Sequence, residues 1–541
     1  MVKKSSIVKN WPKFLLQWGT LAAIAATLIG VFPSDKTPDP EAYCPMGGLQ
    51  ALATYLANHS LPCSMTSLQV AMGIMLVAAI VLFSKLFCGY ICPLGTVQDL
   101  LIRLRNHLKV KSIKVANGSI ADKILRIVKY ALLFLVFYMT VEASELFCKN
   151  IDPYYAVATG FQGELTLWMS ITSVCVMLAG SLVIDMFWCR YLCPLGAISN
   201  SLKFWMWIGV LFGAWYVAGI LGADLPWPVF LGAFCIVGYL LEIFNARPSL
   251  QILHVTKDEI PCNNCGLCVK KCPYHIELRE FHNGKVNHVD CTLCGECVAA
   301  CNSGALNIGI SKPTKSKAWN LIPPVLTVAL IIFGIWAGGK IEIPTIDMKW
   351  KMENVSSLES FEVEGLRSVK CYGSAMTFKA KLEQIKGVHG VRVYVGRKAA
   401  EILYDPSVTS SDQIQKAMFI PSRFKIKSIN PETVPTLKVV TLRTECMYDR
   451  YDINYLGHQF YQTGKDIYGL ETEFACPLIV RVYMDASLNL NEEWFKQVVE
   501  KEEVTVPVTG GGRRAVTLDY DFVEMEDNIS YITTEDFLSR F

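Results

Sequence analysis

The sequence predicts a multispanning α-helical membrane protein interrupted by a cysteine-rich extramembrane insert and followed by a C-terminal α+β region. Three observations lead there. Of 541 residues, 52% are hydrophobic and the mean hydropathy is +0.32, with the long apolar runs all ahead of residue 340. Eight of the 20 cysteines crowd into two runs between residues 262 and 301. Beyond about residue 355 the long apolar runs give way to short alternating segments separated by Gly, Pro and Asp.

A bilayer is crossed by roughly 17–25 apolar residues in a helix. Seven stretches fit: 14–32, 68–87, 124–141, 168–188, 204–221, 229–244 and 318–338. The first follows Lys3, Lys4, Lys9 and Lys13 like a signal sequence; without an A-x-A site after it, it reads as a retained helix. The net charge of +3 informs only once placed along the chain. Arg103, Arg105, Lys109, Lys111, Lys114 and Lys123 lie between the second and third stretches, and the segment after the sixth is also basic. Lys36 and Lys149 are nearly alone in the alternate loops. Positive loops stay in the cytoplasm, so the N-terminus and the cysteine-rich insert are expected there, in a bacterial inner membrane. Seven spans would place the C-terminal region in the periplasm. The basic residues suit lipid headgroups or an acidic electron donor, and nothing points to nucleic acid.

The insert carries the chemistry. CNNCGLCVKKCP (262–273) and CTLCGECVAACN (291–302) both read C-x2-C-x2-C-x3-C, the spacing that wraps a short loop around a cubane [4Fe–4S] cluster. In two-run chains the fourth cysteine serves the other cluster. This groups Cys262, Cys265, Cys268 and Cys301 at one cluster, and Cys291, Cys294, Cys297 and Cys272 at the second. Zinc knuckles or a disulfide knot fit this doubled spacing poorly. Asn302 stands where proline is usual, at a position that is no ligand. The insert, 251–312, is therefore a bacterial-type 2[4Fe–4S] ferredoxin segment in a membrane domain of 1–250 that resumes with a helix at 318–338.

A second motif is duplicated. FCGYICPLG (87–95) and WCRYLCPLG (188–196) each close an even-numbered stretch. Cysteines at i and i+4 share a helix face, and the proline after them ends the helix. Cys88, Cys92, Cys189 and Cys193 together would offer four soft ligands to a further iron–sulfur cluster or to Cu(I); small apolar packing is the plain alternative. A weaker echo, YCPMGG (43–48), holds Cys44, which with Cys63 makes a disulfide or a redox pair. All eight histidines lie outside the expected spans, which argues against a bis-histidine haem. No dinucleotide-binding glycine motif, P-loop or nucleophile elbow is present.

With its CxxxCP motifs and double cluster run, the chain over about residues 10–340 resembles the NapH/NosR/CcoG type of membrane polyferredoxin. The resemblance implies an iron–sulfur protein passing electrons between a cytoplasmic or quinol donor and a membrane or periplasmic partner. The alternative it implies is a copper reductase or assembly factor for a respiratory metalloenzyme. The flavin domain of NosR-like members is not found here.

Residues 355–430 read as β-α-β-β-α-β, the ferredoxin-like split fold. VEG (363–365), IKGVHGVRV (385–393) and ILYDPS (402–407) resemble heavy-metal-associated domains of copper chaperones. That family's CxxC is reduced here to Cys371 in CYGS, so a Cu(I) site would need a further soft donor such as Met376. Residues 435–541 predict a second small α+β domain without a chemical motif. Its strands are expected at 438–442, 478–483 and 515–522, with a helix near 493–499.

Overall fold

A computed structural model describes the chain except for residues 1–8, 30–44, 63–64, 66, 144, 162–164, 224, 245–250, 282–283, 311–316, 353–356, 367, 370–371, 420, 446–449, 476, 508–512 and 519. Cys44, Cys63, Cys371, Cys446 and Cys476 fall among these, so the disulfide and Cys371 readings lie outside the described residues. The chain divides into two units, Met1–Glu342 and Ile343–Phe541.

In the first unit a helix occupies every stretch expected to span: Trp11–Leu28, Ser67–Leu82, Ile120–Ala143, Leu167–Val183, Trp205–Ile220, Trp227–Phe244 and Ile322–Gly338. Among the described residues three helices, Ile120–Ala143, Trp227–Phe244 and Trp319–Gly338, are long and apolar enough to cross a membrane. Pro194–Leu202 and Trp205–Ile220, bent by 91°, would make a fourth if counted as one span. The second and fourth expected stretches, 68–87 and 168–188, run past their helices for a local reason. Ser84 (φ 117°) and Met186 (φ 53°) adopt left-handed backbone and break the helix before each cysteine motif.

The duplication is structural as well. Each repeat adds a short helix absent from the sequence reading, Pro45–Asn58 in the first and Pro153–Ala158 in the second. Pro45–Asn58 lies flush against Ser67–Leu82: a Cβ on Gly48 would sit 2.0 Å from the Gln69 carbonyl oxygen, so only glycine lets the backbones meet. Gln50 donates to the Thr140 hydroxyl at 3.0 Å and ties the helix to the second repeat.

The insert forms a three-stranded antiparallel sheet with His254–Lys257 between Lys285–Val286 and Leu306–Gly309. Two short helices, Leu267–Lys271 and Glu296–Ala300, each start after a glycine at positive φ, Gly266 (68°) and Gly295 (74°). One apolar core runs without a break from this sheet (Val255, Val286, Leu306) into the helix ends (Leu86, Tyr90, Ile102).

The second unit corrects the expected split fold. Strands Glu359–Val363, Val388–Tyr394 and Ala399–Tyr404 and helices Tyr372–Leu382 and Ser411–Met418 form in the expected order. The closing strand does not join them. Arg423–Lys425 pairs instead with Ile467–Glu473 in the next sheet, because Phe419, Phe424 and Ile426 bury against that sheet's core at Leu456, Phe460 and Leu470. Ile346–Lys349 fills the opposite edge, beside Val388–Tyr394. The first sheet is thus four-stranded and antiparallel with an added N-terminal strand, not βαββαβ. The second sheet contains the expected strands as Thr436–Glu445 and Leu478–Asp485, and helix Glu492–Val499 forms nearby. The expected strand at 515–522 is two: Arg513–Thr517 in a separate hairpin and Asp521–Met525 in the sheet.

Candidate iron–sulfur and helix-end thiol sites

The eight insert cysteines line two cavities, four to each. Cys262, Cys265, Cys268 and Cys301 surround the outer one, where Cys265 is exposed. Cys272, Cys291, Cys294 and Cys297 surround the inner one, beside Tyr274 and Thr292. The thiols ring a space instead of converging on a point: among the described residues no three His, Cys, Asp or Glu side chains could hold a single metal ion. Four thiols around a small, largely apolar cavity fit a cubane cluster better than one ion. Burial pushes the Cys272 thiol up to about 12, so it would remain protonated at neutral pH unless a metal displaced the proton.

The two CxxxCP motifs have matching geometry, and the first packs on the inner cavity's loop, where a Cβ on Gly89 would be 3.0 Å from the Thr292 carbonyl oxygen. Each second cysteine starts a proline-led helix, Pro93–His107 and Pro194–Leu202. Each motif glycine sits against a cysteine carbonyl: a Cβ on Gly95 would be 2.8 Å from the Cys88 oxygen, and one on Gly196 2.7 Å from that of Cys189. Gly196→Val is therefore expected to disrupt the second motif and lower the yield of folded protein in detergent, read by size-exclusion profile, with Gly209→Val, where an added Cβ meets nothing within 4 Å, as a comparison. The Gln98 amide donates to Cys189 Sγ at 3.0 Å while its oxygen accepts from the Trp188 backbone. The Gly196 N–H donates to Cys193 Sγ at 3.4 Å. Cys88, Cys92, Cys189 and Cys193 lie within electrostatic reach of one another. Burial first, and then mutual repulsion, pushes the Cys92 and Cys189 thiols well up; burial pushes Cys193 to about 12. For Cu(I), the described residues offer no three-ligand arrangement here. Cys92 and Cys193 also line an apolar cavity with Cys148 and Met46.

The inner cavity and the helix-end thiols are adjacent. Tyr274 lines the inner cavity and is buried, and that burial holds its hydroxyl far above its usual pKa. The Tyr90 hydroxyl donates to the Leu293 carbonyl at 2.8 Å, and the Ser84 hydroxyl to that of Cys291 at 2.6 Å. The N-terminal helix closes the other side, with Asn10 donating to the Cys294 carbonyl at 2.9 Å. Lys13 and Arg103 there bind Asp99 and Glu296.

Sequence reading missed a buried ionic network centred on Asp290, next to Cys291. Arg126 bonds Asp290 at 2.8 Å, Asp122 at 3.1 Å and Glu242. Lys129 and Tyr130 both reach Glu242 at 2.7 Å. Arg190 meets Asp122 at 2.7 Å. Lys85 stands 3.7 Å from Asp290. Lys203 donates to the carbonyls of Val289 and Cys291, both at 2.8 Å. The signal was available: Arg126, Lys129 and Glu242 are charges inside otherwise apolar stretches, where ionisable residues are costly and tend to serve function.

Comparison with known proteins bears on both sites. A model described as a 4Fe-4S binding domain matches residues 65–111 and 166–215, one match over each CxxxCP repeat. A 4Fe-4S dicluster domain matches 261–306. The electron-transport candidate YccM of Escherichia coli is 29% identical over 55% of this chain and 73% of its own length. The ferredoxin-type protein NapH of Haemophilus influenzae is 26% identical over 46% of this chain and 70% of its own. The regulatory protein NosR of Pseudomonas aeruginosa is 31% identical over 22% of this chain and 17% of its own. The chain is similar to membrane polyferredoxins of the NapH and NosR type. No solved structure matches it. The matched segments are those that build the two cysteine cavities and the helix-end thiols.

Proposed function

We propose that this polyferredoxin conducts electrons between its surface and the membrane through three thiol sites in series. The protein is a membrane iron–sulfur electron-transfer protein; the order of sites and their ligands are the proposal. One observation carries it: the apolar core that takes in Cys268, Cys301, Cys272, Cys291 and Cys297 from the two cavities also takes in Leu86, Tyr90 and Ile91, the residues interleaved with Cys88 and Cys92 of the first helix-end motif. Bound [4Fe–4S] clusters would supply one-electron carriers. Cys262, Cys265, Cys268 and Cys301 would hold the outer one, and Cys272, Cys291, Cys294 and Cys297 the inner. Tyr274 is buried in the wall of the inner cavity and keeps water from it. Cys88, Cys92, Cys189 and Cys193 hold the third redox site, and the partner on that side is a membrane-associated respiratory component or quinol. The cavity at Cys92, Cys193 and Cys148 is where such a partner's electron would enter or leave.

The test is metal analysis with EPR on anaerobically purified protein carrying Cys88→Ala and Cys189→Ala together. The reading predicts less iron per chain than wild type with both insert signals kept. Unchanged iron would remove the third site.

A further inference from the structure

The buried charges around the inner cavity do not balance. On the side of the N-terminal helix they do: Lys13 and Arg103 face Asp99 and Glu296. On the opposite side five cations, Lys85, Arg126, Lys129, Arg190 and Lys203, share three carboxylates, Asp122, Glu242 and Asp290. All eight are buried, at most 4% exposed. Lys203 is 2% exposed, and no carboxylate lies in salt-bridge range of it among the described residues. Its ammonium is held instead by the carbonyls on either side of Asp290. Buried cations without counter-charge are expensive, and proteins retain them where an anion completes the set.

We infer that Lys203, supported by Lys85, is the counter-charge of the inner cluster and sets its reduction potential. This rests on the cluster reading above. A [4Fe–4S] core with four thiolates carries two negative charges oxidised and three reduced, and its potential follows nearby charge, hydrogen bonding and solvent exposure. The two surplus cations offset the oxidised charge and favour the added electron. Lys203 reaches the Cys291 loop directly, and Lys85 packs against the same loop through Asp290. The outer cavity differs in its access to water: Arg279 beside it is paired with Glu277, Lys257 donates to the Arg279 carbonyl at 3.5 Å, and Cys265 opens to solvent, which screens these charges. A cluster held by Cys272, Cys291, Cys294 and Cys297 would then be the one whose reduced form these residues favour. Lys203 is a positioning residue in this account: it touches loop carbonyls, not the iron.

The experiment is an EPR-monitored redox titration of the full-length protein in detergent, with iron assayed on each sample. Lys203→Met is expected to keep full iron and move the inner signal to lower potential while the outer signal stays. Lys203→Arg is expected to restore the wild-type value. Lys85→Met should move the inner signal the same way by less. An unmoved inner potential in Lys203→Met with full iron overturns the inference. Should Lys203→Met lose the inner cluster, retention in Lys203→Arg together with a shift in Lys85→Met supports it. Loss in both Lys203 variants, or no shift in Lys85→Met, overturns it. Cys294→Ala separates this from the cluster reading, because it tests ligation by iron content alone.

Discussion

Replacing Cys294 by alanine is expected to remove about half of the insert's iron, roughly four of eight atoms per chain. Cys294 lines the inner cavity with Cys272, Cys291 and Cys297, and none of the outer four cysteines lines that cavity. Loss of one of four thiolates leaves an iron exchangeable in a site closed by Tyr90, Asn10 and Thr292. The outer cavity is built from three cysteines of the first run and the last of the second, and keeps its full set. Iron analysis and EPR on the variant check the grouping: one insert signal should vanish and the other remain. Loss of both signals, or of neither, would contradict the division into two cavities.

Arg126→Met is expected to have the largest effect on stability of any single change outside the cysteines. The guanidinium holds Asp122, Glu242 and Asp290 together, on two membrane helices and the loop before Cys291. Breaking a buried pair by removing one partner costs about 3–5 kcal/mol, because the remaining charge is stranded. Here three carboxylates lose a shared partner, although Lys85, Lys129 and Arg190 retain part of the compensation. The loop carrying Cys291 should loosen first, so thermal unfolding in detergent should shift down and the inner EPR signal should be lost ahead of the outer one on warming. Removing Asp290 and Arg126 together should cost less than the sum of the single changes.

Much of this architecture is legible in the sequence, and the places where it is not have physical causes. The cluster runs are local: spacing, glycine and proline fix the loop, and the pattern of two-run chains gives the exchange of the fourth cysteine that groups them around each cavity. The helices follow from apolar runs, but their ends do not, because Ser84 and Met186 take left-handed backbone to aim the next cysteine. Helix Pro45–Asn58 is a tertiary effect; it is secured by glycine contacts and by Gln50 reaching the other repeat. The ionic network was visible only as misplaced charges in apolar stretches. Their partners lie more than a hundred residues away, as Glu242 does from Arg126 and Asp290 does from Arg126. In the second unit the strand Arg423–Lys425 has the right sequence and the wrong neighbour. Three aromatic and aliphatic side chains decided its sheet, and no local pattern encodes which core they enter.

An EPR redox titration of anaerobically purified wild-type protein, with iron and zinc assayed on the same sample, tests the central claim most directly. The two insert cavities predict two reducible [4Fe–4S] signals that broaden each other, beside the contribution of the helix-end thiol site, with iron well in excess of zinc. A protein that holds zinc at these cysteines, or iron that accepts no electron, would contradict the account.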